Sequence, residues 1–477
     1  MRVVALHAVR LSGRTGPTRT SARNYTRGRH GACTDGCEGC PAALLSPYRG
    51  VRKTPGSSDG LEHVVQRDGR TNSEYARRRR PLFLQHRHGR ARPRQSCAGE
   101  TVKILIPTAD YPPIAGGIAS VALHVSRRMA ALGHEVTVVA PHFPGMEAFD
   151  RAEPARVIRY GGYGLGWLRL LPLMAAAWPH TRSADLILPI NIAYGGALAY
   201  FAGRPYLAFA YAYEFLKFRH VPPVAAFYRR VYARARKVIA ISAFTRNKLA
   251  EFGVPVDHIE IVHPGAPEAH PLPPEYLDGL RHRFVLDSNG PIILAVGRLV
   301  PRKGHQTLVR AMPRILERYP NAVLVIAGQG PSIYPITQEA WRHEIRNQVR
   351  ILEGLSDEDI AGLYQVCDVF ALPTREVFSS HHGHVEGFGL VFIEAGAHGK
   401  PVVAGRSGGV VDAVRDGETG LLVEPNDPDA LADALLSLLD NPDYARRLGE
   451  NGRRRAETEL NWTVFARRLL EIAGTTP

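Results

Sequence analysis

The sequence predicts an α/β protein made of two doubly wound domains that face each other across a cleft. Three observations carry the prediction. From Val102 onward, short β-branched runs alternate with stretches whose apolar residues recur at helical spacing. A Pro-rich, polar stretch at 271–290 interrupts that alternation, and a second series starts at Ile292. In both series a glycine-bearing loop stands between the first strand and the helix that follows it. Strand alternating with helix implies parallel sheets, because parallel neighbours need a long crossover. The chain has 477 residues, of which 45% are hydrophobic and 22% charged, enough for two or three domains.

The first series opens with the strand Val102-Lys103-Ile104-Leu105-Ile106-Pro107 and the loop Ile114-Ala115-Gly116-Gly117-Ile118. A helix follows with Ile118, Val121, Val125, Met129 and Leu132 on one face, closed by Gly133. Glu135–Ala140 is the next strand, and further strands are expected at Asp185–Pro189, Tyr206–Tyr211, Lys237–Ile241 and His258–Val262. The apolar run Leu165–Ala177 is interrupted by Arg169 and Pro172, so it is too short to span a bilayer. It reads as a core-facing helix, with a membrane-surface segment anchored by Trp167 and Trp178 as the alternative. The second series places strands at Ile292–Gly297, Ala322–Gly328, Val349–Leu352, Val369–Leu372 and Pro401–Ala404. Its helices run over Gln306–Arg318, Ser356–Gln365, Leu390–Gly399, Pro428–Asp440 and Tyr444–Glu459. The expected units are 101–285, 286–460, and a final helix within 461–477 with room to cross back to the first domain.

The net charge of +15 suggests a nucleic-acid binder until it is located. Residues 1–100 hold 20 Lys+Arg against 7 Asp+Glu, leaving 40 against 38 for the rest. That first fifth contains the run Arg77-Arg78-Arg79-Arg80, shows no period of 3.6 or 2, and has no apolar core of a secretory signal. A disordered tail, an organellar transit peptide and upstream DNA read from a start placed too early are the competing readings, and the last is preferred. Four of the five cysteines lie there, and Cys33, Cys37 and Cys40 have the spacing of a radical-enzyme iron–sulfur motif without the strand that should precede it. Only Cys367 remains in the body of the chain, which fits a reduced, cytoplasmic protein.

The chemistry is expected to centre on residues 386–394, Glu-Gly-Phe-Gly-Leu-Val-Phe-Ile-Glu. Two carboxylates at the ends of an apolar segment need a partner or a ligand. Gly387 and Gly389 let the backbone turn into a helix whose first N–H groups are unpaired and suit a phosphate. An acid, an anion site and a second acid in that order would hold a nucleotide-activated sugar; the bland alternative is two exposed acids flanking an amphipathic helix. Gly116-Gly117 and Gly297-Arg298-Leu299-Val300-Pro301-Arg302-Lys303-Gly304 each follow the first strand of a series, where open α/β sheets bind ligands. Arg298 brings a fork for phosphate oxygens and Lys303 a compact charge. No Asp-x-Asp stands at a strand end, and Asp427-Pro428-Asp429 reads as a helix cap.

Residues 101–473 resemble the retaining glycosyltransferases of glycosyltransferase family 4, which have the GT-B fold. The matching elements are Gly116-Gly117, 238–242, 262–266, Gly297-Arg298 with Lys303-Gly304, 327–331 and Glu386–Glu394, in that order. The resemblance implies an N-terminal acceptor domain, a C-terminal nucleotide-sugar domain, and metal-independent transfer of a hexose, mannose being one option, to a glycan or lipid. It implies GDP- or UDP-linked sugar as co-substrate with no bound cofactor, no nucleic acid as partner, and peripheral contact with the inner face of a membrane. Gly116 and Gly117 would face the donor diphosphate, and Arg298 and Lys303 would neutralise the departing nucleoside diphosphate. Glu386 would meet the donor sugar, Phe388, Gly389, Leu390 and Val391 would present the helix start, and Glu394 would take the ribose. Backbone near Ile351 and Leu352 would meet the base. One position departs from the pattern: Tyr211 stands where the family often has a His beside the donor sugar. The loop Arg375–His384 is longer than in many members and is similar to that of mannosyltransferases with lipid acceptors; its His381, His382 and His384 read as acceptor-facing rather than metal-binding. A GT-B sugar-nucleotide epimerase, or a nucleic-acid binder acting through the basic tail, are the alternatives.

Overall fold

The computed structural model describes residues 101–286, 289–378 and 383–474. The basic first fifth, with its arginine run and four cysteines, lies outside the described residues, as do His381 and His382.

The first half builds parallel strands β1 (Lys103–Pro107), β2 (Glu135–Pro141), β3 (Arg156–Tyr160), β4 (Leu186–Ile187), β5 (Leu207–Ala210), β6 (Lys237–Ala240) and β7 (Ile259–Ile261). They form sheets in the order β3-β2-β1-β4 and β5-β6-β7, joined by a parallel bridge between Ile187 and Tyr206. Ile104, Leu105 and Ile106 of β1 are all buried, as expected of a parallel strand covered on both faces. The second half adds β8 (Ile292–Val296), β9 (Val323–Ala327), β10 (Val349–Leu352), β11 (Val369–Leu372), a two-stranded antiparallel ribbon β12 (Val377–Phe378) and β13 (Gly383–His384), then β14 (Val402–Gly405) and β15 (Leu421–Val423). Its six-stranded sheet runs β10-β9-β8-β11-β14-β15, so strand order reverses between β8 and β11. Loops leaving the strands there open a crevice suited to a ligand.

Several helices are fixed by local chemistry. Ser356 and Asp359 make a reciprocal capping box at the Asp357–Val366 helix, and Asp427 accepts from the N–H groups of Asp429 and Ala430. The last helix, Trp462–Ile472, buries Trp462, Phe465, Ala466, Leu469 and Leu470 in the core around β1 and β2. Trp462 stacks on His124 of the Gly117–Ala131 helix, with centroids 4.8 Å apart. Cys367 is buried and free, and burial pushes its thiol up to about 12.

Two expectations are corrected. The stretch 271–290 carries a helix, Pro274–Phe284, which buries Leu280 and Phe284. Its apolar stripe was hidden by prolines that in fact open the helix, where a missing N–H costs nothing. The Leu165–Ala177 segment is core-facing only in part. It folds as a short 3-10 helix, Tyr163–Arg169, and then a helix, Leu170–Thr181, that buries Leu173 and Ala177. Trp167 is 79% exposed and Leu171 64%, with Leu165 and Trp178 also outside. Among the described residues no helix is long and apolar enough to cross a membrane.

Candidate active site

The Gly297–Gly304 loop leaves the carboxyl end of β8 and tightens into a 3-10 turn over Pro301–Lys303. Its backbone is tied to the loop after β9: the Leu299 N–H donates to Gln329 O at 2.9 Å, and the Ser332 N–H to Leu299 O at 2.9 Å. Arg375 pins it from the other side, its N–H on Arg302 O at 2.8 Å and its Nε on Pro301 O at 3.0 Å. This frame turns Lys303 inward. Its side chain is 8% exposed and its Nζ lies 2.9 Å from Glu386 Oε2. Arg302 contacts the same carboxylate oxygen. Burial alone would raise the Glu386 carboxyl, but the charges of Lys303 and Arg302 outweigh it and hold the group below the usual carboxylate range. Arg298, by contrast, is exposed and has no ion pair among the described residues.

The segment after Glu386 turns as its glycines predict. Gly389, at φ 97°, is the N-cap of the Leu390–Ala397 helix, and a Cβ there would sit 2.5 Å from Phe392 Cδ2. Only glycine takes that backbone without strain and without a clash. A Cβ on Gly387 would lie 2.8 Å from Tyr211 O, so the loop after β5 presses directly on the motif. From the other side Gly117 faces Leu390, whose Cδ1 would be 3.7 Å from an added Cβ. Leu390 and Val391 supply the first helical N–H groups, beside the glycine loop.

Other expected residues are placed less directly. Phe388 is buried and stacks on His263, centroids 5.4 Å apart, so only its backbone is available to a ligand. Glu394 accepts a hydrogen bond from the Tyr364 hydroxyl at 3.0 Å, and burial pushes its carboxyl up. Leu352 ends β10 with its carbonyl taken by the Gly328 N–H at 2.9 Å. Tyr211 lies at the motif by its backbone, while its buried hydroxyl has no partner among the described residues. His384 stacks on Tyr213, centroids 5.3 Å apart, which brings the long loop against the first domain.

Sequence reasoning missed two residues here. Arg302 carries no distinguishing signal in the basic loop, and only the turn over Pro301–Lys303 reveals that it shares an oxygen with Lys303. Glu214 accepts the Tyr211 N–H at 2.7 Å and so braces a turn in which Ala212 has φ 77°, a strained value for a residue with a Cβ. Its other oxygen is buried without a partner, and burial raises the carboxyl to about 7. An acid three residues past a strand end was the available signal.

Comparison with known proteins gives the family. The family model described as Glycosyltransferase Family 4 matches residues 115–269, and that described as Glycosyl transferases group 1 matches 279–455. A GDP-mannose-dependent alpha-(1-6)-phosphatidylinositol monomannoside mannosyltransferase of Mycobacterium tuberculosis is 32% identical over 387 residues, covering 78% of this chain and 97% of that protein. The monoacylated-acceptor counterpart of Corynebacterium glutamicum is 30% identical over 395 residues, covering 79% and 98%. Among solved structures, HepE of Anabaena in complex with UDP and glucose superposes with a TM-score of 0.65 at 20% identity, over 78% of this chain and 99% of that one. The chain therefore belongs to glycosyltransferase family 4, with the GT-B fold, and is an enzyme that moves a hexose from a nucleotide sugar to a glycan or lipid acceptor.

Proposed function

We propose that this enzyme transfers mannose from GDP-mannose, with retention and without a metal ion, to an inositol-phospholipid acceptor at a membrane surface. The observation that carries the reading is the state of Glu386. Both cations sit on Oε2, and Oε1 has no protein partner among the described residues. An ionised carboxylate with one oxygen anchored and one free is prepared to accept a sugar hydroxyl. Arg298 and Lys303 then face the leaving diphosphate, joined by the amides of Leu390 and Val391 and by the backbone of Gly116 and Gly117. These cations and dipoles act where negative charge develops, which is the largest single source of stabilisation in such transfers. Glu394 and the backbone at Leu352 hold the nucleoside. Attack occurs on the face the leaving group departs from, with a phosphate oxygen taking the acceptor proton, so no protein nucleophile is invoked.

The relatives named above support the donor and the acceptor class. The exposed Leu165, Trp167, Leu168, Leu171 and Trp178 support membrane contact, since contiguous exposed apolar side chains on one segment suit an interface. The test is transfer of radiolabelled mannose from GDP-mannose to phosphatidylinositol-type lipids in vesicles, with and without a chelator. Chelator-resistant transfer that is lost in Glu386→Ala, while GDP-mannose still raises the melting temperature of that variant, supports the reading. Transfer from UDP-glucose alone, or full activity in Glu386→Ala, refutes it.

A further inference from the structure

A second set of polar groups gathers beside the donor cleft, at the carboxyl ends of β1, β3 and β4, and nothing above uses it. Tyr160 closes β3 and is 3% exposed, yet its hydroxyl has no hydrogen-bond partner among the described residues. Arg169 stands over the Tyr194 ring, with its Cζ 4.0 Å from the centroid, and 5.0 Å from that of Tyr163. Its Nε is also buried and unpartnered. Asp110, in the loop after β1, accepts from Asn191 Nδ2 at 2.8 Å, and Asn191 in turn caps the helix that carries Tyr194. Burial raises the Tyr160 phenol, and among the charges it feels are Arg169, which opposes the rise, and Asp110, which adds to it. Asp110 acts the same way on Tyr211, whose backbone touches Gly387 of the donor motif. Arg169 itself sits between Leu168 and Leu170, at the edge of the exposed apolar segment.

Two buried polar atoms without partners, the Arg169 Nε and the Tyr160 hydroxyl at the end of β3, are costly unless a ligand completes them. A guanidinium held between aromatic faces keeps its N–H fork pre-set for an oxyanion. We infer that Tyr160, Tyr163, Arg169 and Tyr194 form the phosphate subsite of the acceptor pocket, with Asp110 receiving a hydroxyl of the polyol attached to that phosphate. The ligand class is a phosphorylated polyol, and its phosphate comes either from a lipid headgroup or from a soluble polyol phosphate. The inference rests on the acceptor reading proposed above and adds to it the residues that select the phosphate.

The experiment measures mannosyl transfer by the full-length protein with three acceptors: phosphatidylinositol in phosphatidylcholine vesicles, soluble inositol 1-phosphate, and neutral inositol. Arg169→Gln is expected to raise KM for the phosphate-bearing acceptors roughly 10- to 100-fold, as loss of a hydrogen bond to a charged group does, with a smaller effect on kcat. KM for neutral inositol is expected to stay unchanged, and Arg169→Lys to recover part of the loss. Tyr160→Phe removes one oxygen, provides a variant that keeps the packing, and should raise the same KM values roughly fivefold to tenfold. Dependence of both soluble and vesicle-bound acceptors on Arg169 supports a subsite for either phosphate; dependence of the vesicle acceptor alone assigns the phosphate to the lipid. Unchanged KM in both variants, or an equal rise for neutral inositol, overturns the inference. Wild-type enzyme that uses none of the phosphate-bearing acceptors overturns the acceptor reading itself, which separates the two failures.

Discussion

Glu214→Gln tests whether the turn at Tyr211 is braced by a carboxyl that keeps its proton. The side chain is buried, one oxygen accepts the Tyr211 N–H, the other has no partner, and burial raises the group from 4.5 to about 7. Between those values the folded state holds a proton that the unfolded chain has released. Stability therefore falls as pH rises through that window, is unaffected by this group below it, and is constant above it. The full penalty corresponds to about 3 kcal/mol, a large share of the 5–15 kcal/mol that stabilises a typical domain. Glutamine keeps the acceptor oxygen for Tyr211 and cannot ionise. The variant should match the wild type within about 1 kcal/mol near pH 4.5, and exceed it by up to about 3 kcal/mol near pH 8. Urea melts of both proteins at about pH 5, 6, 7 and 8, followed by tryptophan fluorescence, give the difference at each pH. A constant offset across the series, or a wild type that gains on the variant as pH rises, would show that Glu214 is ionised in the fold and that the argument from burial is wrong.

Three further outcomes are expected. Lys303→Ala removes the first of the charges that hold Glu386 down, so the acid limb of the pH–rate profile should move to higher pH, along with a roughly 100- to 1000-fold loss in kcat; an unmoved limb would mean that Arg302 suffices. Gly389→Ala places a Cβ in a left-handed position 2.5 Å from Phe392, and calorimetry should record a loss of about 1–3 kcal/mol together with weaker stabilisation by GDP-mannose. Trp167→Ser combined with Leu171→Ser strips the most exposed apolar side chains of the first domain's surface segment, and co-sedimentation with phosphatidylinositol vesicles should fall at least roughly tenfold; unchanged co-sedimentation would remove that segment from the membrane contact.

What could be read from the chain follows from which forces act locally. The parallel sheets were legible because runs such as Ile292–Val296 and Val323–Ala327 are apolar throughout, as strands covered on both faces must be. The start of the Leu390–Ala397 helix was legible because Gly387 and Gly389 permit the approach and the φ it requires. The Pro274–Phe284 helix was hidden because its prolines carry the same letters as a linker. The exposure of Trp167 and Leu171 was not legible either, since periodicity reports that a face is apolar and not what covers it. Arg302 and Arg169 were missed for one reason. Each acquires its environment from a distant strand, loop or helix, through contacts that no spacing encodes, whereas Glu214 sits only three residues from the Tyr211 N–H it accepts.

The arrangement at Glu386 also explains why the pair that brackets the motif divides its labour by charge. Arg302 and Lys303 set two positive charges against the single negative charge of Glu386, and Arg298 stands exposed in the same loop. Buried ions at this depth are tolerated only when paired, and Lys303 is paired here by the carboxylate rather than by solvent. Under the proposed reading a nucleoside diphosphate entering the cleft would compete for those cations, and would compete better as its bond to the sugar breaks and it gains charge. Under the proposed donor placement, each increment of charge on the leaving group would draw Arg302 and Lys303 from Oε2 and leave the anchored oxygen of Glu386 as available to the sugar as the free one. Glu394 takes no part in that exchange. Its carboxyl accepts from the Tyr364 hydroxyl and is raised by burial, the surroundings from which the proposed ribose contact would be made. The two glutamates, with seven residues between them, are therefore pushed in opposite directions by their surroundings, Glu386 held below the usual carboxylate range by Lys303 and Arg302 and Glu394 raised by burial.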